Sequence, residues 1–381
     1  MTIGVQARVS PIASYSVHDL VSVASEVALP ELEPFRVPAL PAAADISVRI
    51  GRVRAPVRPL PDARHIVYDE GLGPLGFQCR IDLDEDAIRV TAAPLLRLSP
   101  HVLYTNIVEP ILRWTFAGRG YTLVHGACLT WGEAAYLITA LTDTGKTTTI
   151  LQLLSHSPAG APAAFISDDL TLLSPEGRVY TFPKPLTISA HTLHAVDAGQ
   201  LDLAGRLFLP WQSMVHSRGG RRTAHRMAHL PLPVATINAL TQMVVPPPKY
   251  PVQALVPGVK FAISARLAGI FFIEWGPDAT LRLTDDDALD QLMRNGDDAY
   301  GFPPYGAIAP SLYQSPSGDL RLREREIVGA GLRGLPKRLI RREQGNWWRS
   351  ILEIIAAAPD EAASQPGALE WSGPQPSSPP A

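Results

Sequence analysis

The sequence predicts an α/β protein: a domain with a mixed sheet around a strand–loop–helix of phosphate-binding type (a P-loop), preceded by a small β-rich α+β region. Three observations predict it. Apolar residues alternate in short runs between Ile46 and Val90. The octapeptide Ala140-Leu141-Thr142-Asp143-Thr144-Gly145-Lys146-Thr147 stands between a strand-like and a helix-like segment, and the apolar run Ala163 to Ile166 ends at Ser167-Asp168-Asp169. A chain of 381 residues, 46 % apolar and 18 % charged, can bury a sizeable core, and its 37 prolines favour many short elements over long bundles.

Residues 1–45 contain Pro11, Pro30, Pro34, Pro38 and Pro41 and no sustained period, so an irregular segment is expected there. Residues 46–120 read as a β-rich accessory region. Ile46-Val48-Ile50, Phe77-Cys79-Ile81 and Ile88-Val90 are strands of a small antiparallel sheet, the last two joined by the acidic turn Asp84-Glu85-Asp86. His101 to Ala117 spaces its apolar residues three and four apart and stops at Gly118-Arg119-Gly120, which predicts a helix despite Pro110. Residues 121–310 form the main domain. Tyr121 to Leu129 and Ala134 to Thr139 read as a hairpin turning at Trp131-Gly132-Glu133; Thr147 to Leu154 is a helix; Ala163 to Ile166, Leu170 to Leu173 and Arg178 to Phe182 are strands. Leu267 to Trp275 and Thr280 to Leu283 are further strands, followed by a helix from Asp285 to Met293. Residues 203–266 are a basic insertion, 311–358 a basic amphipathic extension, and 359–381 a Pro/Ser/Ala-rich tail expected to be disordered.

Composition narrows the function. Two cysteines, Cys79 and Cys128, make no disulfide framework, and no charged-then-apolar leader opens the sequence, which places the protein in the reducing cytoplasm. No apolar run approaches the eighteen or more residues of a spanning helix. The net charge of −2 conceals an uneven distribution. From Leu203 to Ile273 there is no Asp or Glu but eight Lys or Arg, and from Arg321 to Arg349 nine cations oppose only Glu324, Glu326 and Glu343. Such regions attract anions.

The octapeptide has the spacing of a phosphate-binding loop with Ala140 in place of the first glycine, a residue that disfavours positive φ. In that reading backbone amides from Thr142 to Thr148, namely those of Thr142, Asp143, Thr144, Gly145, Lys146, Thr147 and Thr148, cradle phosphate oxygens at a helix N-terminus. Lys146 reaches the β- and γ-phosphates, and the Thr147 hydroxyl completes a Mg²⁺ shell. Asp168 and Asp169 form a carboxylate pair at a strand end, where one can hold Mg²⁺ and the other accept a proton from an attacking hydroxyl. We assign Asp169 to the metal and Asp168 to the base. Adjacent carboxylates repel unless a cation is near, so the pair itself points to metal.

The order strand with His125-Gly126, hairpin, phosphate loop, helix, strand, Ser-Asp-Asp resembles the HPr kinase/phosphorylase family, whose nucleotide fold is shared with phosphoenolpyruvate carboxykinases; Gly145-Lys146-Thr147-Thr148 is similar to the carboxykinase loop. The resemblance covers Tyr121 to Ile188, including Pro183-Lys184-Pro185-Leu186, and extends more weakly to the strand near Phe271. It implies phosphorylation of a hydroxyl by ATP (or GTP) with Mg²⁺, a place for His125 beside the site, and a homo-oligomer. Three departures mark a diverged member. Ala140 and Asp143 replace the usual Gly-rich loop, Asp143 adds a negative charge near the phosphates, and the family's later metal-binding Glu has no counterpart in the acid-free stretch. HPr is therefore not the expected acceptor; an anionic or lipid-linked one is.

Arg218, Arg221, Arg222 and Arg226 in the insertion are candidates for contacts to phosphate groups of nucleotide or acceptor, since guanidinium groups bind them bidentately. Zinc suits the interspersed His216, His225 and His229 poorly, because no cysteine or carboxylate accompanies them. Nucleic acid is not expected, as interleaved aromatics are missing. Leu332 to Ala356 mixes cations with Trp347, Trp348 and isoleucines and could lie on an anionic membrane surface. Two other readings remain open: a non-catalytic nucleotide-binding scaffold with a degenerate loop, and a small-molecule kinase of the shikimate or adenylate kinase type. The second requires a parallel sheet whose first strand leads into the loop.

Overall fold

The computed structural model describes residues 13–53, 64–84, 87–157, 163–188, 192, 233–300, 303–315, 318–357 and 369–370. They belong to two compact units, one of residues 1–112 and 231–244, the other of residues 113–230 and 245–381.

The first unit is built on seven strands: β1 (Ala13–Val17), β2 (Val21–Ser25), β3 (Arg36–Val37), β4 (Ile46–Ile50), β5 (Arg64–Asp69), β6 (Gln78–Leu83) and β7 (Ile88–Ala92). Their order is β3-β1-β2-β4-β7-β6-β5. Two expectations are corrected. Residues 13–37 are not irregular: Tyr15, Val17, Val21 and Val23 are buried on alternate positions, and His18 and Asp19 both take positive φ in the tight turn between the strands. Serines and alanines fill the other positions, so the alternation is faint in the sequence. Nor is the sheet purely antiparallel, because β4 runs parallel to both β2 and β7. The helix Val234–Val244 also belongs to this unit. The Glu70 carboxylate accepts from the amides of Ala235 and Thr236 at 2.8 and 2.7 Å, satisfying two donors of the first helical turn.

One helical run, Pro100–Leu103, a wider π turn Tyr104–Val108 and α1 (Glu109–Gly118), follows the period read from His101 to Ala117. Pro110 is the second residue of α1, directly after the π turn, where a missing N–H costs little.

The second unit contains β8 (Thr122–His125), β9 (Ala127–Trp131), β10 (Ala134–Thr139), α2 (Lys146–Ser155), β11 (Ala163–Ser167), β12 (Leu170–Leu173) and β13 (Arg178–Tyr180). Then come β14 (Lys260–Trp275), β15 (Ala279–Arg282), α3 (Asp285–Ala299), α4 (Leu320–Leu332), β16 (Lys337–Arg342) and α5 (Trp347–Ala356). The mixed sheet runs β10-β9-β11-β14-β13-β12-β8, and the sixteen-residue β14 also pairs in parallel with β10 and β16. This is an α/β architecture. On one face Ile150 and Leu151 of α2 pack with Trp347 and Ile351 of α5 over Phe165 and Phe271. On the other, Leu292 of α3 and Val328 of α4 cover Leu137, Ile166 and Phe272.

The single strand read from Tyr121 to Leu129 is two. β8 pairs with β12 while β9 pairs with β10 and β11. Gly126 is the break, where a Cβ would lie 2.9 Å from the Leu137 side chain and 3.0 Å from the Ile138 carbonyl. The antiparallel β9–β10 hairpin ahead of the loop is not the parallel start that a shikimate or adenylate kinase arrangement requires. Residues 311–358 do not form a separate extension: β16 lies inside the sheet. The 332–356 segment is a strand and then a helix whose Trp347, Ile351 and Ile355 are buried, so the apolar face offered for a membrane is occupied by core. Within 359–381, Leu369–Glu370 form a short strand on β14. Among the described residues no helix is long and apolar enough to cross a membrane.

Candidate functional site

The site lies between the end of β10 and the start of α2. Positive φ falls at Asp143 (63°) and Gly145 (132°), not at Ala140, so replacing the first glycine by alanine imposes no strain. Aspartate tolerates the left-handed region better than most residues, which accommodates position 143. Gly145 is required twice over: its φ is one L side chains rarely adopt, and a Cβ there would stand 3.0 Å from the Trp347 ring. No side chain caps α2, so the amides of its first turn have no capping acceptor at Gly145.

Lys146 is buried and turned back on its own loop, Nζ donating to the carbonyls of Ala140 (3.2 Å) and Leu141 (3.5 Å). Burial pulls its pKa down, while Asp169, Asp168, Asp298 and Asp143 pull it up; the net direction is downward. The Thr142 hydroxyl is buried with no hydrogen-bond partner among the described residues. A phosphate oxygen would supply one.

Thr147 Oγ1 donates to Asp168, at 2.9 Å from Oδ2 and 3.2 Å from Oδ1. Asp168 is buried at the end of β11, and burial, reinforced by the neighbouring Asp169 charge, pushes its carboxyl up to about 6. Asp169 points elsewhere. Its φ of 70° turns the side chain out of the strand direction toward Lys184 Nζ (2.9 Å) and His125 Nε2 (3.3 Å). The Asp169 side chain is 53 % exposed, and against partial desolvation Lys184 first and then His125 hold its carboxyl well below the usual carboxylate range. The two carboxylates thus face different ways. Asp168, not Asp169, shares the Thr147 hydroxyl, and Asp169, not Asp168, faces the cationic side of the site.

His125 ends β8 with both ring nitrogens toward acceptors: Nδ1–H donates to the Asn295 carbonyl (2.8 Å), and Nε2 meets Asp169 Oδ1. Burial first, then Lys146, nevertheless lowers its pKa, against the raising pull of Asp169 and of the Asn295 carbonyl. The last turns of α3 support this corner. The Asn295 side chain donates to Thr139 Oγ1 (3.0 Å), which donates to the His125 carbonyl (2.7 Å), and Asp298 accepts from the Thr142 amide (2.8 Å).

The structure therefore brings together His125, the loop from Thr142 to Thr148, Asp168 and Asp169. Arg218, Arg221, Arg222 and Arg226 lie outside the described residues. Lys184, Asn295 and Asp298 were missed as site residues. Lys184 carried a signal, a lone cation between two prolines fifteen positions after Asp169, whereas Asn295 and Asp298 sit in an acid-rich helix that reads as a solvated face.

The donors fit Mg²⁺ in kind: a hydroxyl and a carboxylate, hard oxygens, the carboxylate buried beside a second one that a cation would relieve. No group of three or more His, Cys, Asp or Glu able to hold a metal occurs among the described residues. A magnesium ion here would rely on phosphate oxygens and water for its other ligands, its common habit. Compared with protein-family models and with curated proteins, the chain matches none.

Proposed function

We propose that the chain is a phosphotransferase, transferring the γ-phosphoryl group of ATP or GTP to a hydroxyl of an acceptor. The observation that carries this reading is the convergence, around one loop, of Lys146, the Thr147–Asp168 pair and Asp169 held between Lys184 and His125. The resemblance of Tyr121 to Ile188 to HPr kinases supports it.

In this mechanism Lys146 leaves its carbonyl partners for the β- and γ-phosphates, and the amides of the first turn of α2 and the Thr142 hydroxyl take further phosphate oxygens. Thr147 and Asp168 would hold Mg²⁺, which when bound neutralises charge on the phosphate oxygens. Asp169 orients the acceptor hydroxyl and receives its proton as the bond from the acceptor oxygen to the γ-phosphorus forms and the bond from the γ-phosphorus to the β,γ-bridging oxygen breaks, the nucleoside diphosphate leaving with that electron pair. Lys184 and His125 fix the two oxygens of the Asp169 carboxylate. Since phosphoryl transfer is mostly positioning and charge stabilisation, these groups supply what the reaction needs.

One observation favours a non-catalytic nucleotide-binding scaffold instead. Asp298 occupies the Thr142 amide and Lys146 satisfies its own loop, so two phosphate-binding groups have internal partners. Titration with Mg-ATP followed by measurement of slow ATP hydrolysis separates the two. Binding with turnover supports the kinase; tight binding with no turnover, with or without acceptor fractions, supports the scaffold.

A further inference from the structure

Building on the nucleotide reading above, we propose that Trp275 is the platform on which the purine base of the bound nucleotide stacks. β10, β14 and β16 are parallel neighbours, so their carboxyl ends open on one edge of the sheet, the edge at which open α/β sheets bind ligands. The Gly-Lys-Thr loop leaves β10 at that edge, Trp275 is the last residue of β14, and the turn 343–346 leaves β16. Phosphates held at the loop would place the nucleoside along this row of strand ends.

Trp275 is 48 % exposed, yet its ring is held in place. Its indole N–H donates to the Thr144 carbonyl of the loop (3.1 Å), and Trp347 meets it edge to face, 4.7 Å between centroids at 78°. Trp347 is itself buried and fixed by its N–H to the Glu274 carbonyl (3.0 Å). Gly345, at φ 77°, lets the turn pass close, since a Cβ there would come within 2.9 Å of the Trp275 ring. An indole already oriented by the phosphate loop loses little freedom when a base stacks on it, and a large aromatic ring half in water presents the surface a purine covers. Among the described residues Trp275 is the one exposed tryptophan.

The test compares two probes, Mg-ATP and inorganic tripolyphosphate, by calorimetric titration of the full chain and of Trp275→Leu and Trp275→Tyr. Leucine keeps apolar bulk against Trp347 and tyrosine keeps a stacking ring. Trp275→Leu is expected to weaken ATP binding roughly 5- to 150-fold, the range stacking on an aromatic side chain carries, and to leave tripolyphosphate unchanged. Trp275→Tyr is expected to retain most of the ATP affinity. Unchanged ATP binding in Trp275→Leu, or equal weakening of both probes, would overturn the proposal, the latter making Trp275 a prop of the loop. Wild-type protein that binds tripolyphosphate as tightly as ATP sinks the base platform and leaves the phosphate loop standing; wild-type protein that binds neither sinks both.

Discussion

Asp168→Asn should make the second unit more stable at pH 8, although it removes a residue assigned to the site. In the folded protein burial and the Asp169 charge raise the Asp168 carboxyl from 3.8 to about 6. The native state therefore holds this proton more tightly than the unfolded chain does. Wild-type stability must fall as pH rises through the window from about 4 to about 6, and the full cost is present above it. The difference corresponds to about 3 kcal/mol, an upper figure for what asparagine recovers, since its amide oxygen can still accept from Thr147. Urea unfolding followed by tryptophan fluorescence is a suitable assay, because all seven tryptophans lie in the sequence of the second unit. The variant is expected to unfold at higher urea than wild type at pH 8, with the gap closing toward pH 4. A variant less stable at pH 8, or a gap that does not change with pH, would show that Asp168 carries no such burden. Saturating Mg²⁺ should stabilise wild type more than the variant.

Lys184→Met removes the strongest cation on Asp169, a group whose folded pKa is depressed; stability should drop at pH 7 and the deficit vanish as pH falls below the carboxylate range, read from the same unfolding series. Asp298→Asn keeps an acceptor for the Thr142 amide but takes a charge away from the phosphate position, so Mg-ATP affinity measured by titration should rise by about fivefold, the equivalent of about 1 kcal/mol for a neighbouring charge near the surface. Gly145→Ala meets both a φ of 132° and the Trp347 ring at 3.0 Å, and should cost about 1–3 kcal/mol in the unfolding assay together with loss of ATP binding.

Much of the second unit was legible in the sequence because its signals are local. The Gly-Lys-Thr loop, the hairpin before it and the Ser-Asp-Asp strand end each announce themselves within a dozen residues. What the sequence hid depends on partners far along the chain. The hub role of β14 rests on pairing with β10, more than a hundred residues earlier, and Asn295 reaches His125 across 170 positions. The 332–356 segment shows why charge patterning misleads: Lys337 is buried and paired with Asp285 at 2.8 Å, so a cation that reads as surface is interior. Arg113 behaves likewise, buried in a bidentate pair with Glu324 at 2.7 and 2.8 Å that no local pattern reveals. Residues 13–25 were missed for the opposite reason, since small serines between buried valines blur a period of two. The directions in which Asp168 and Asp169 face could not be read from spacing, because a positive φ at Asp169 sets them apart.

The most direct test of the proposed chemistry is transfer of label from γ-labelled ATP to fractionated metabolites, lipids and peptides, run with wild type, Lys146→Ala and Asp168→Asn. Label should pass to at least one acceptor fraction with wild type and fall by orders of magnitude in both variants. Full transfer by both variants, or none by wild type into any fraction, would contradict the assignment of this site to phosphoryl transfer.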